Sequence, residues 1–465
     1  YVGLDYGIYY RDASMSQWSC FTNELPNVMI SELAINYCEG KLTAGTFGRG
    51  MWETDLLPIH NTTSNAYQTT TGEIWSTNQR RNTDVVVPTG KTLTINNGAI
   101  ISMARNTFIK VMPGAKLLID GATVTNSCGY MWSGIQVVGN PAQPQSFNSG
   151  TGYYNYQGWL QMKNGAKIEN AYVAAMADEA YYSASDYTYP NGLGTKGGGV
   201  IQAFATSGNP NCTINQCRNG IGFTRYPAQG YTQPPNKSYI KQTTFTCSGY
   251  LNPPYSSQYT NEFIAMWDVH GIAVYANTFN GATSAPVTLR GLGIHSIDAD
   301  YRVLPTGGIP NTFNDVYRGV YAIVTNPSEI TGSFIVDQNV FNGCSRSVYV
   351  SGFEYPSVTR NTANLTLSTT DTTYFLYSSA SNYYSYEENA VTGQSQTKSY
   401  GIIVNNSGPY DNLVYKNSLT NLRYGCVSMN QNAGSYWNTA PGIGLQFKCN
   451  IYTNVFFNEA VYTCP

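Results

Sequence analysis

Charge is scarce in this chain: Asp, Glu, Lys and Arg make up 11% of its 465 residues, against about 25% in an average soluble protein. The 25 Lys and Arg stand against 27 Asp and Glu, for a formal net charge of −2, and the cations are dispersed. A nucleic-acid binder needs a basic stripe to displace counterions, so that class is excluded. Long apolar runs are missing as well. None approaches the ~20 residues of a membrane helix, and no membrane span is expected. Histidine is limited to His60, His270 and His295, and no Cys-x-x-Cys pair occurs. Zinc and thioredoxin-type sites therefore lack their donors, and the reading assigns no metal and no cofactor. The ten cysteines are too sparse for a disulfide scaffold. Cys20 with Cys38, and Cys449 with Cys464, are spaced for local bridges, with buried free thiols the equal alternative.

What is present is tyrosine. Its 39 copies outnumber all the basic residues together, and aromatics reach 14% of the chain, which excludes disorder. Gly, Asn, Ser and Thr fill most of the remainder. Such a composition belongs to extended, extracellular β-structure. The chain opens on Tyr1 inside a strand pattern, and it reads as an internal piece of a longer secreted precursor.

Residues 1–57 alternate strands and tight turns: YVGLDYGIYYRD, VMISELAINY and KLTAGTFGRGMWETD are each half-apolar at period two. This amounts to about one four-stranded sheet, too little to bury its own faces. Asp12 and Trp18 in a turn, followed by the closing run Ala44-Gly45-Thr46-Phe47-Gly48-Arg49-Gly50-Met51-Trp52, resemble the last blade of a sortilin- or sialidase-repeat-type β-propeller. The turn glycine of that repeat is absent, so the likeness is carried to fold and not to sialidase chemistry. Residues 58–80 are Thr/Asn-rich with little apolar period and read as a linker.

From residue 81 the pattern changes. VVVPTGKTLTINNGAIISM is echoed by IKVMPGAKLLIDGATVTNS about 25 residues later, and again by KNGAKIENAYV at 163–173. Farther on, short strands end in Asn–x–apolar–x–Asn turns: Asn277 with Asn280, Asn339 with Asn342, Asn417 with Asn421, and Asn450 with Asn454. Repeats of short strands with Asn and Gly corners mark a solenoid. Those residues tolerate the left-handed backbone of a sharp corner, and stacked Asn side chains can bond in ladders. The fold class is all-β: a right-handed parallel β-helix over 81–465, on the order of 12–15 coils, preceded by the partial propeller blade. Cys217, Cys247 and Cys344 each precede a Gly- or Ser-containing turn, and stacking in the core explains them.

Three Tyr-rich stretches interrupt the rhythm, at 179–199, 225–263 and 374–389. Their Pro, Gly and Ser residues argue for loops standing off the solenoid. Tyrosine offers a large rigid surface at low entropic cost, so Tyr181, Tyr182, Tyr187, Tyr189, Tyr226, Tyr231, Tyr255, Tyr259, Tyr383, Tyr384 and Tyr386 are the candidate partner contacts. The bland alternative is that they pack on the solenoid side. Asp371-Thr372-Thr373 marks Thr372 as a candidate O-glycosylation site. For catalysis the best constellation is Asp298, Asp300 and Arg302, on one face if that segment is a strand, with Asp268 and His270 about one coil earlier. A solvated strand or loop with a local ion pair is the favoured account of it, and with acids so scarce no catalytic residue is assigned.

The blade ending, followed by PTGKTLTI, PGAKLLIDGATVT and the tract Cys128-Gly129-Tyr130-Met131-Trp132-Ser133-Gly134-Ile135, resembles the large surface proteins that Bacteroidota export through the type IX secretion system. The resemblance implies export and a cell-surface or extracellular location. The resulting expectation is a non-enzymatic adhesin or appendage subunit, a homo-oligomer or part of a larger surface assembly, with a glycan or cell-surface partner. A polysaccharide lyase or hydrolase working along a β-helix groove is the alternative.

Overall fold

The computed structural model describes every residue except 12–14, 23, 37, 39, 57–65, 180–193, 229–235, 328–332, 366–371, 395–397, 434–443 and 463–465. Among the described residues the structure is strand and turn, with one short 3-10 turn at Val287–Leu289, and no helix is long and apolar enough to cross a membrane. The chain divides into two units, Tyr1–Ala66 and Tyr67–Pro465.

The first unit holds two three-stranded antiparallel sheets where one four-stranded sheet is expected. Val2–Leu4, Gly7–Tyr10 and Ser19–Cys20 form one, and Ile30–Asn36, Lys41–Thr46 and Gly50–Asp55 the other. Between them Glu24 takes a left-handed conformation (φ 69°), and Pro26 has no N–H to give a ladder, so pairing stops and restarts. The buried core is small: Ile8, Ile30, Leu42 and Ala44. Trp18, Phe47 and Met51 stay exposed, as a sheet pair this small requires. The Cys20–Cys38 bridge does not form. Cys20 is free and exposed, its Sγ 3.4 Å from Thr22 Oγ1, whereas Cys38 is disulfide-bonded. Cys449 is free and exposed, and Cys464 lies outside the described residues.

The second unit is a parallel β-helix. Three parallel sheets of 14, 13 and 13 strands run its length, every coil giving one strand to each. The first sheet runs from Tyr67–Gln68 to Phe457–Tyr462, the second from Glu73–Trp75 to Leu445–Lys448, and the third from Gln79–Arg81 to Ile451–Thr453. That makes 13 complete coils, within the expected range, stacked at about 4.8 Å. The first coil lies inside the stretch read as a linker. It escapes detection because it buries a single large apolar residue, Trp75, and closes the end of the core with polar groups. Glu73 accepts from the Tyr67 hydroxyl at 2.7 Å and from Trp75 Nε1 at 2.6 Å, and the Arg81 guanidinium sits 4.1 Å from the Trp75 ring.

Inward columns fill the core. Ile264, Ile294, Val320, Val348, Leu376 and Ile402 stack in the first sheet, and Phe245, Phe279, Phe313 and Phe341 in the third, all fully buried. The phenyl rings stack at 4.9, 4.5 and 4.8 Å, which is the strand spacing itself. Gly319 faces this column. A Cβ there would lie 2.6 Å from the Phe341 ring and 2.6 Å from the Ser347 carbonyl oxygen. Cys217, Cys247 and Cys344 are free and buried, as expected.

A ladder joins Asn277, Asn311, Asn339, Asn361, Asn389 and Asn417, all buried, and ends on the half-buried Asn450. In five of the six steps the backbone N–H and side-chain Nδ2 of one asparagine both donate to Oδ1 of the next, at 2.9–3.1 Å; from Asn311 to Asn339 only Nδ2 does, at 2.9 Å. The ladder asparagines are not themselves the left-handed residues. That conformation falls one position earlier, on Ala276, Gln338, Arg360, Glu388, Lys416 and Cys449. Each such corner costs roughly 1–2 kcal/mol, and the paired bonds of the following asparagine offset it.

Candidate functional site

The outer face of the first sheet carries two neighbouring columns of large side chains. One runs in register through His295, Tyr321, Tyr349 and Tyr377. The other runs through Arg318, Arg346, Tyr374, Tyr400, Tyr424 and Phe457. Parallel pairing sets residues of successive coils about 4.8 Å apart, which brings most successive rings of these columns into contact. Tyr321–Tyr349 lie 4.9 Å apart, Tyr349–Tyr377 5.4 Å, Tyr400–Tyr424 4.7 Å and Tyr424–Phe457 5.1 Å. Rings stacked along the solenoid present edges and hydroxyls outward instead of faces. Burial raises the Tyr349, Tyr374 and Tyr400 phenols above their ordinary value. They are therefore protonated at neutral pH and can donate.

At one end of the face Glu262 Oε2 lies 2.7 Å from His295 Nδ1, and the imidazole packs 5.4 Å from the Tyr321 ring. Beside it the Arg318 guanidinium lies 4.1 Å from the Tyr321 ring and 5.1 Å from that of Tyr317. Arg346 lies 5.0 Å from the same Tyr317 and 5.8 Å from Tyr374. A second aromatic stack, Tyr355, Tyr383 and Tyr410, is exposed, with centroids 5.0 and 4.8 Å apart.

Of the tyrosines named from sequence, Tyr383 alone among the described ones is exposed. Tyr226, Tyr255, Tyr259, Tyr384 and Tyr386 are buried, so as placed they are core and not loop contacts. Tyr226 reaches inward to the amide of Gln145 (3.1 Å), Tyr255 stacks on Tyr172 at 5.7 Å, and the Tyr386 hydroxyl lies 2.8 Å from Ser378 Oγ. The stretch 374–389 is no insertion. Thr373–Ser379 and Ser385–Glu387 are regular strands of one coil. Tyr181, Tyr182, Tyr187, Tyr189 and Tyr231 lie outside the described residues, and Thr372 is exposed at the entry to the first of those strands.

The acidic constellation is occupied with holding backbone. Asp298 takes a left-handed corner (φ 51°) and accepts from Thr325 N at 2.6 Å and Asn326 N at 2.9 Å. It therefore sits off the strand that carries Asp300 and Arg302. Asp300 accepts from Gly271 N at 3.0 Å and meets His270 Nδ1 at 2.6 Å, and Asp268 pairs with Arg225. Both Asp298 and Asp300 are buried while Arg302 is exposed. Among the described residues no cluster of acids, histidines and cysteines could hold a metal. A cavity of about 170 Å³ between Trp132, Tyr172 and Tyr255 falls below the ~300 Å³ lower end of small-molecule sites.

No protein-family model matches the chain, and no curated protein matches it. Solved structures with a related course include PfbA, a surface adhesin of Streptococcus pneumoniae, at 12% identity and a TM-score of 0.33, covering 82% of this chain and 83% of that one. A point mutant of the periplasmic alginate epimerase AlgG aligns at 10% identity and a TM-score of 0.26, over 83% of this chain and 78% of that one. A family 28 exopolygalacturonase of Yersinia enterocolitica aligns at 10% identity and 0.22, over 91% and 84%. The set holds an adhesin and carbohydrate-active enzymes together. Likeness this low carries no functional inference, and the β-helix stands on its own three sheets.

Proposed function

We propose that the chain is a non-enzymatic surface protein, an adhesin or appendage subunit, that holds an extended glycan along the outer face of its first sheet. The in-register run Tyr321–Tyr349–Tyr377 beside Tyr400 and Tyr424, with Tyr374 itself buried, carries the reading. A rigid row of phenols supplies contact area at little conformational cost and a hydroxyl at every step. A repeating, hydroxyl-rich polymer matches a repeating row; a compact small molecule does not. Export to the cell surface by a type IX route and self-association belong to the same reading. A charge-poor aromatic surface opposes self-contact only weakly.

Tyr349→Ala and Tyr377→Ala should each weaken retention on a glycan array by about 2 kcal/mol, roughly thirtyfold in Kd, with circular dichroism unchanged. Variants that bind as the parent does, or a parent that binds no glycan, refute the reading. The enzyme alternative has one observation in its favour: Glu262 holds the His295 imidazole at the head of this face, as a general base is held. It requires new reducing or unsaturated ends on a polysaccharide panel, lost in His295→Ala; a panel without them removes it.

A further inference from the structure

The outward positions of the third sheet carry no charged residue along nine consecutive coils, from Cys212–Asn215 to Ile451–Thr453. Two columns stand there in register. One begins Thr213, Thr244, Thr278, Thr312; the other, two residues on, is asparagine or threonine at every step. The other sheets differ. The second shows Lys241, Arg302 and Glu387 on its outer side, and the first shows Glu262, Arg318 and Arg346.

This face is flat and stiff. The inward rings of the same strands, Phe245, Phe279, Phe313 and Phe341, stack at interplanar angles of 8°, 7° and 9°, against about 20–25° of rotation per strand in an ordinary twisted sheet. On the outer side Nδ2 of Asn314 donates to Asn280 Oδ1 at 2.9 Å, Asn342 to Asn314 at 3.3 Å and Asn364 to Asn342 at 3.0 Å, so the amides are held in one row. Threonine is β-branched and restricted at χ1. The hydroxyls of Thr244, Thr278, Thr312 and Thr362 make no hydrogen bond among the described residues, and these side chains are half-buried or exposed.

We infer that the outer face of the third sheet binds ice. Outward residues of one strand lie about 6.7 Å apart and successive coils about 4.8 Å, and the water oxygens on a prism face of hexagonal ice form a rectangular net of nearly those two spacings. Hydroxyls and amides fixed on such a net take the places of lattice waters, and the threonine methyls sit in the gaps between them. Because the side chains are already ordered, little rotamer entropy is lost on contact, and no Lys or Glu holds a competing hydration shell. Each contact is weak, and their repetition along nine coils makes adsorption strong. A flexible soluble chain has no fixed two-dimensional net, so this array fits a crystal surface. The inference stands apart from the phenol face, which lies on another sheet.

The test is nanolitre osmometry of the full chain, with crystals watched during growth. The parent should freeze measurably below its melting point and shape the crystal into facets. Thr278→Lys and Thr312→Lys, which plant a long charged side chain in the array, should each lose most of that gap, whereas Ser357→Lys, outward on the second sheet, should keep it whole. Thermal melts and circular dichroism identify any lysine variant that has lost its fold, and Thr312→Val, a replacement of nearly equal volume, then serves as the second probe and should narrow the gap. A parent without a gap or faceting overturns the inference, as does a gap that survives both threonine-to-lysine changes in folded protein or one lost equally in Ser357→Lys. Should the parent leave ice untouched yet sediment with crystalline cellulose, and Thr312→Lys release it, the array belongs to a solid polysaccharide and the ice reading fails. The glycan array with Tyr349→Ala decides the phenol face separately.

Discussion

Replacing Asn361 by alanine removes one rung from the buried ladder, and the structure sets the cost. Asn361 Oδ1 accepts from Asn339 N at 2.9 Å and from Asn339 Nδ2 at 3.1 Å, and its Nδ2 donates to Asn389 Oδ1 at 3.0 Å and Val336 O at 2.9 Å. Two of these partners stay served after the change. Asn339 Nδ2 still reaches Val303 O and Asp337 O, and Asn389 Oδ1 still receives the backbone N–H of position 361. The Asn339 amide is left without its acceptor, at a site only 1% exposed. One orphaned buried donor costs about 1–3 kcal/mol, and the lost bond to Val336 brings the total to about 2–4 kcal/mol. Asn342 provides the contrast. It belongs to an outer ladder, bonded to Asn314 at 3.3 Å and Asn364 at 3.0 Å, where water can replace what is lost. Asn342→Ala should cost about 0.5 kcal/mol or less. Guanidinium unfolding followed by circular dichroism measures both. Because coils contact only their neighbours, hydrogen exchange should quicken in Ile335–Asp337 and Thr362–Leu365 and remain unchanged in Thr92–Ile95. If Asn361→Ala costs no more than Asn342→Ala, the ladder is not what holds these corners.

Gly319→Ala should destabilise by about 1–3 kcal/mol, because the new methyl meets a backbone oxygen as well as the Phe341 ring and the core must shift; a melting temperature equal to the parent's would contradict this. Burial would raise the Asp337 carboxyl, but Arg360, Thr359 and Gln338 outweigh it and hold it below its ordinary value. A depressed carboxylate contributes stability above its unfolded pKa of about 3.9 and loses it as pH falls through the lower folded value. The gap in unfolding midpoint between the parent and Asp337→Asn should therefore close in acid; a gap independent of pH would refute the pairing. Burial pushes the Cys212, Cys217 and Cys426 thiols up to about 12 and raises Cys344 as well. Iodoacetamide on the native chain should then label Cys20 and Cys449 and spare these four until denaturant is added, as peptide mass mapping can check.

The β-helix, its coil number and its asparagine corners were legible in the sequence because they follow from local rules. A short strand needs its apolar residues in step, a corner needs Asn or Gly nearby, and both recur at the coil length. Asn277, Asn339, Asn417 and Asn450 could be read this way, and the ladder they predicted runs through all four. The direction each tyrosine faces could not. In Asn-Tyr-Tyr-Ser-Tyr, Tyr383 is exposed while Tyr384 and Tyr386 are core, and a shift of one residue in register would reverse the sides. Tyrosine suits either environment, so a dense Tyr/Ser window reads as a loop although it is a strand paired to Ser357–Thr359. The candidate site depends on the same missing information. Arg318 and Arg346, like Tyr349 and Tyr377, lie 28 residues apart in the chain and come side by side only when parallel pairing closes the coil. Composition and repeat length determined the scaffold; inter-coil register, a tertiary quantity, decided which side chains form its outer face.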